Sequence, residues 1–202
     1  MTIVNKSYNE AIIYFKDLPA NLIFTDVCYS KKPYEDIENC LKLLTGDNIV
    51  LIVANEGIHI PKQYVKSRYS VEFAYPERIM DISVKIDVIV YSKKNLTYSF
   101  TGNNYYFDDN ERIISIKQKP QTFYKELIET YTQKGDIILD CSADRGMMIS
   151  QALKMKRNIY AAEGNLINYR LAYNSITRIL FDNKQFSYNY FPFFKKTSVS
   201  RG

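Results

Sequence analysis

Three acidic residues stand where a ligand could be held. Asp26 closes the apolar run Asn21-Leu-Ile-Phe-Thr-Asp26, Asp140 closes Asp136-Ile-Ile-Leu-Asp140, and Glu163 directly follows Asn158-Ile-Tyr-Ala-Ala162. Compact apolar runs without alternation read as strands buried on both faces, as in a parallel sheet. Open parallel sheets take ligands beyond the carboxyl ends of their strands. A carboxylate there can accept a hydrogen bond from a ribose hydroxyl or an amino group. A strand-terminal Asp can equally cap the following helix, so one such acid decides nothing. Three in equivalent positions favour a ligand crevice.

Other reactive side chains are sparse. Cys28, Cys40 and Cys141 are odd in number and form no CxxC pair, and His59 is the sole histidine, so no metal site is expected. Cys28 follows one strand, and Glu56 follows the next, Asn48-Ile-Val-Leu-Ile-Val-Ala54. This pair resembles the Cys and Glu of cytosine-C5 methyltransferases, which would imply a thiolate attacking C6 with the Glu on N3, but a cysteine beside a buried strand is usually packing. His59 reads as a loop or packing residue. Lys31-Lys32 and Lys93-Lys94 read as solvated faces, the first pair within reach of a phosphate near Asp26.

The elements that must position these residues alternate. Helices are expected over 9–18, 33–44, 120–132, 146–156 and 165–181, between the strands named above. Strand 21–26, helix 33–44 and strand 48–54 make a βαβ unit. Residues 82–91 alternate apolar and polar, which predicts a half-exposed antiparallel strand near an edge, with 96–100 and 112–116 as candidate partners. Residues 101–110 read as a loop. The expected fold class is α/β: a mostly parallel sheet with antiparallel edge strands and helices on both faces. It forms a single domain over 1–202, and the aromatic, basic segment 184–202 supplies a last strand or an interface.

Composition narrows the classes further. The 202 residues are 46% hydrophobic and 24% charged, which excludes a wholly disordered chain. No apolar run is long enough to span a bilayer, and the N-terminus does not read as a signal peptide, so a cytoplasmic protein without membrane contact is expected. A net charge of +5 permits nucleic-acid contact without requiring it.

At this point the segments resemble a known family. Thr25-Asp-Val-Cys-Tyr-Ser30 resembles motif IV of the amino-methyltransferases, usually Asp-Pro-Pro-Tyr. Gln118-Lys-Pro120 resembles the Gln-Lys-Pro of motif X. Gly135-Asp-Ile-Ile-Leu-Asp-Cys-Ser-Ala-Asp-Arg-Gly146 is similar to motif I, Gly-Asp-x-Val-Leu-Asp-Pro-Phe-x-Gly-x-Gly. Arg157 to Glu163 and Tyr169 to Ile179 are similar to the following strand and the closing helix. The order IV, X, I is that of the permuted beta group of N6-adenine and N4-cytosine DNA methyltransferases. The resemblance runs over 9–181 and implies a Rossmann-like fold that binds S-adenosylmethionine (SAM). It implies Asp26 as acceptor of the target amino group and Tyr29 as the stack for a flipped base. It also implies Lys119, Asp140, Gly146 and Glu163 around the cofactor.

The departures from the motifs matter as much. Val27 and Cys28 replace both prolines, which predicts a less preorganised loop. Ser142 stands for the phenylalanine and Asp144 for the first glycine of motif I, and Asp144-Arg145 is expected to close or spoil the cofactor crevice. Both motifs are thus eroded together. The sequence therefore predicts a catalytically degenerate, DNA methyltransferase-like pseudoenzyme that associates with DNA or other nucleic acid, a protein partner or a second copy of itself. The alternative is an active SAM-dependent N6-adenine or N4-cytosine DNA methyltransferase. The stretch between Ala54 and Lys117 is too short to add a segment for reading duplex sequence.

Overall fold

The computed structural model describes residues 1–76, 82–97, 99–102, 104–108, 111, 113 and 117–182. The aromatic segment 184–202 and most of 112–116 lie outside them. The described residues form one eight-stranded sheet, in the order β1 (Thr2–Val4), β8 (Asn158–Ala162), β7 (Ile137–Asp140), β2 (Leu22–Asp26), β3 (Ile49–Asn55), β5 (Ser83–Ser92), β4 (Val65–Ala74) and β6 (Asn104–Tyr106). Only the β3–β5 and β5–β4 pairings are antiparallel, and the others run parallel.

The sheet is buried on both faces, which is why β2, β3, β7 and β8 are uninterrupted apolar runs. Helices α1 (Tyr8–Tyr14) and α2 (Pro33–Leu41) cover one face, packing Ala11, Ile12, Ile37 and Cys40 on Ile23, Val50, Ile52, Ile89 and Leu139. Helices α3 (Gln121–Tyr131), α4 (Met147–Lys154) and α5 (Leu166–Asp182) cover the other, packing Phe123, Leu127, Ile149 and Ile176 on Phe24, Leu51, Val88 and Ala161. The helices start where the chain supplies partners for their free N–H groups. Pro33 opens α2 with Glu35 and Asp36 in its first turn. The Asn165 side chain accepts the N–H groups of Ile167 and Asn168 at 2.9 and 3.1 Å, capping α5.

Each expected helix is present, and so are the four apolar strands. The antiparallel half of the sheet differs from the sequence reading. β5 is not half-exposed: from Ile86 onward it is buried. Among the described residues its partners are β3 and β4, not 96–100, with most of 112–116 outside them, and the alternation of Tyr69, Val71 and Phe73 with Ser70 and Glu72 in β4 is the missed signal. β6 lies within 101–110, read as a loop, and β1 was not foreseen. Asp87 looks like a solvent-facing residue in sequence, yet it is only 4% exposed. It is tolerated there because its carboxylate pairs with Arg68 and accepts the Gly57 N–H at 2.9 Å.

That arrangement makes a prediction. Asp87→Ala removes a buried acceptor from two donors and is expected to destabilise the chain by about 1–3 kcal/mol, read as a lower urea midpoint. Asp87→Asn, which keeps an acceptor oxygen, is expected to lose less.

Candidate functional site

The carboxyl ends of β8, β7 and β2 lie side by side, because these strands are consecutive neighbours in the sheet. Phe24 pairs with Asp140 and Asp140 with Ala161, so Asp26 and Glu163 each lie two residues beyond that row. The three acids singled out in sequence therefore converge. They line one cavity of about 360 Å³, together with Tyr29, Ser30, Asp36, Tyr124, Asp144 and Asn168. That volume is in the range of small-molecule sites. Asp144 and Arg145, expected to close or spoil the crevice, both lie on its wall, and a cavity remains between the strand ends.

The turn after β7 explains why. Asp144 occupies the left-handed region at φ 44°, the conformation a glycine would take there. Aspartate tolerates it better than most side chains, and its carboxylate accepts a hydrogen bond from the Asn168 side chain at 2.7 Å on the cavity wall. The Asp144 N–H is free to turn inward and donates to Glu163 at 2.8 Å. Gly146, at φ 85°, opens α4. A side chain there would meet the Ala172 Cβ of α5 at 3.1 Å, so Gly146 serves close helix packing and is not on the cavity wall.

The corner after Asp26 is also more ordered than the loss of two prolines predicts. Val27 and Cys28 have N–H groups that proline lacks. The first donates to the Val53 carbonyl at 2.8 Å, and the second to Asp26 Oδ1 at 3.1 Å. Asn55 holds the Cys28 carbonyl at 2.9 Å. Ser142 joins the two motifs: its hydroxyl accepts the Asp26 N–H at 2.7 Å, and its own N–H donates to Asp140 at 3.0 Å. A phenylalanine at 142 could not make that hydroxyl contact.

Lys119 is 3% exposed and forms an ion pair with Asp26 Oδ2. It is not on the cavity wall, whereas Lys117 and Gln118 are. Burial opposes the Lys119 charge, but the Asp26 carboxylate outweighs it and holds the ammonium's pKa above the ordinary lysine value. Tyr29 is 48% exposed at the mouth of the cavity, with the Lys117 ammonium 4.5 Å and the Lys119 ammonium 5.8 Å from its ring centre.

Asp140 is wholly buried. Desolvation pushes its carboxyl up to about 8, helped by the charges of Glu163, Asp26 and Asp144 and opposed by the Ser142 N–H. Burial raises Glu163 as well, against the N–H groups of Asn165 and Asp144. A cationic or hydrogen-bond-donating ligand is what such a set of carboxylates would receive. The Tyr8 hydroxyl, on the same wall, is buried without a hydrogen-bond partner among the described residues. Tyr8 escaped the sequence reading because nothing local marks it: it begins an ordinary short helix, and only the fold brings it beneath β2 and β7.

Several candidates do not join the site. Cys28 is buried, and desolvation together with the Asp26 charge pushes its thiol well above the ordinary range, the reverse of what a nucleophile needs. Glu56 and His59 are exposed and off the cavity wall. Lys31 and Lys32 are exposed, and Lys32 pairs with Glu35 at 2.8 Å.

No protein-family model matches the chain, and neither does any curated protein sequence. Solved structures do match. M1.HpyAVI in complex with SAM superposes with a TM-score of 0.63 at 17% identity, over 87% of this chain and 98% of that one. TTHA0409 of Thermus thermophilus, assigned provisionally as a DNA modification methylase and solved with S-adenosyl-L-methionine, gives 0.63 at 14% identity, over 88% and 93%. The cytosine-N4-specific PvuII DNA methyltransferase gives 0.62 at 11% identity, over 86% and 85%. The chain has the Rossmann-like SAM-methyltransferase fold. Among the described residues no helix is long and apolar enough to cross a membrane.

The buried charges generate two predictions. The native Asp140 carboxyl keeps its proton up to about pH 8, whereas an unfolded aspartate releases it near pH 4. Between these values the native state binds the extra proton, so stability falls as pH rises from about 4 to 8. Asp140→Asn is expected to flatten that decline in a melting-temperature series. Lys119→Met leaves the Asp26 carboxylate without its buried partner and is expected to cost roughly 3 kcal/mol, whereas the double change Lys119→Met, Asp26→Leu recovers much of the loss.

Proposed function

We propose that this chain is a SAM-binding amino-methyltransferase of the permuted IV–X–I type that acts on an exocyclic amino group of a DNA base. The observation that carries the reading is the convergence of Asp26, Tyr29, Asp140 and Glu163 on one open cavity. The likeness to SAM-bound structures supports it. Asp140 and Glu163 fit the cofactor: two carboxylates and the buried Tyr8 hydroxyl can take an ammonium, ribose hydroxyls and an adenine edge. When bound, the cofactor supplies an electrophilic methyl group on a sulfonium.

The chain's own residues would do the rest. Asp26 accepts a hydrogen bond from the target amino group and orients its nitrogen lone pair. The Cys28 N–H and the Lys119 ammonium engage its two oxygens, which suits it to orienting the amino group. Transfer would break the sulfonium C–S bond and form the N–CH3 bond, and the cationic nitrogen would then pass one proton through Asp26 to solvent at the cavity mouth beside Tyr29. Tyr29, half in solvent, offers a ring face to a base turned out of its stack.

A second reading has its own support. Asp26 is already engaged by Lys119, and Lys117 sits over the Tyr29 ring. Together with the lost prolines, this favours a subunit that binds nucleic acid or a protein partner without transferring a methyl group.

Calorimetry with SAM, followed by transfer of labelled methyl to oligonucleotides, separates the two. The methyltransferase reading expects heat on SAM addition and a weaker response in Glu163→Ala. It also expects methyl transfer that falls at least about a hundredfold in Asp26→Ala while SAM still binds. SAM binding without transfer leaves the second reading. No heat and no thermal shift at millimolar SAM overturns the cofactor assignment.

A further inference from the structure

A second cavity, of about 350 Å³, lies on the face of the sheet that carries α1 and α2. Gly57, Ile58, His59, Ile60, Lys62, Val65 and Arg68 line it. It is formed by the connection from β3 to β4, which crosses back over the sheet because these strands flank β5 on either side and run the same way. The connection is pinned along its length. The Gly57 N–H donates to Asp87 at 2.9 Å, the Ile58 carbonyl accepts from Arg68 at 3.1 Å, Ile60 is buried, and the Tyr91 hydroxyl donates to the Pro61 carbonyl at 3.0 Å. Gly57 takes φ 77°, which lets the chain turn off β3.

A pinned loop holds its side chains in place, and this one presents Lys62 and His59 beside Arg68 of β4. Asp87 and the Ile58 carbonyl both engage Nη2 of Arg68, leaving the other guanidinium nitrogens without an acceptor among the described residues. Lys62 and His59 are exposed and have no acidic partner among the described residues. Three nitrogen donors around one concavity, offset by a single carboxylate that is already consumed, form an anion site.

We propose that the His59–Lys62–Arg68 cavity binds a phosphate group, either a backbone phosphate of nucleic acid or that of a small phosphorylated compound. Register places it relative to Asp26. Arg68 pairs with Ile89, Ile89 with Ile52, and Ile52 with Thr25, one residue before Asp26. Three strand spacings separate the ends of that row, ~14 Å, a distance a nucleic-acid strand spans in about four nucleotides. The backbone source rests on the nucleic-acid reading above, whereas the phosphate chemistry does not.

His59 is the sole histidine, so its ring protons give one isolated NMR reporter inside the cavity. Inorganic phosphate and, separately, single- and double-stranded oligonucleotides are titrated against the full chain. A saturable His59 shift with an oligonucleotide, weakened by salt, identifies the backbone source. A shift with inorganic phosphate alone identifies the small-molecule source. Lys62→Glu is expected to weaken whichever shift is seen by about tenfold and Lys62→Arg to preserve it, with thermal melts confirming that both variants fold. Anisotropy with the oligonucleotide is expected to show a salt slope shallower by about one in Lys62→Glu. No His59 shift with any probe, or an equal response in Lys62→Glu, overturns the proposal. SAM titration of the same sample tests the cofactor reading independently: an absent SAM response beside an intact His59 shift sinks only that reading.

Discussion

An ammonium at Lys119 and a carboxylate at Asp26 are taken out of water together, and the rest of the site is arranged around that pair. Burying either charge alone costs several kcal/mol. Their mutual attraction offsets the cost only if the remaining donors and acceptors are also satisfied. The chain does this locally: the Cys28 N–H takes the second Asp26 oxygen, and the Ser142 hydroxyl takes the Asp26 N–H. The pair therefore ties the segment before α3 to the end of β2, and Ser142 ties β2 to the turn after β7.

Where this chain differs from the motifs it resembles, the residues it carries make hydrogen bonds of their own. Removing two prolines frees two N–H groups, and both are used. Replacing a bulky aromatic by Ser142 supplies the hydroxyl that one motif lends to the other. Replacing a glycine by Asp144 keeps the left-handed turn, because aspartate is among the few side chains that accept it, and Asn168 anchors the new carboxylate. Read one at a time along the chain, each change is a loss of preorganisation. Read across the sheet, they form a second way of holding the same corner open.

The electrostatics set what such a corner can receive. Asp26, Asp36, Asp140, Asp144 and Glu163 all face the cavity, and the deepest, Asp140, favours its neutral form until a positive group arrives. Lys117, over Tyr29, and Arg145 share the cavity wall, and a separate group of basic side chains, Lys62 and Arg68, lies beside His59 in the second cavity.

The sequence by itself determined the helices, the four apolar strands and the three acids at their ends. These are set by local patterns: runs of Ile, Val and Leu that only a doubly covered strand can bury, and Pro33, Gly146 and Asn165 at helix starts. It also contained β4, in the alternation around Tyr69, though Asp87 disguised the partner strand β5 as an exposed one. Its burial depends on Arg68, and that pairing is a fact of sheet register. The openness of the cleft, the engagement of Asp26 by Lys119, the role of Ser142 and the presence of Tyr8 were decided by tertiary structure alone. Each depends on residues far apart in the chain that meet only when β8, β7 and β2 lie side by side, and no local pattern records a contact between segments a hundred residues apart.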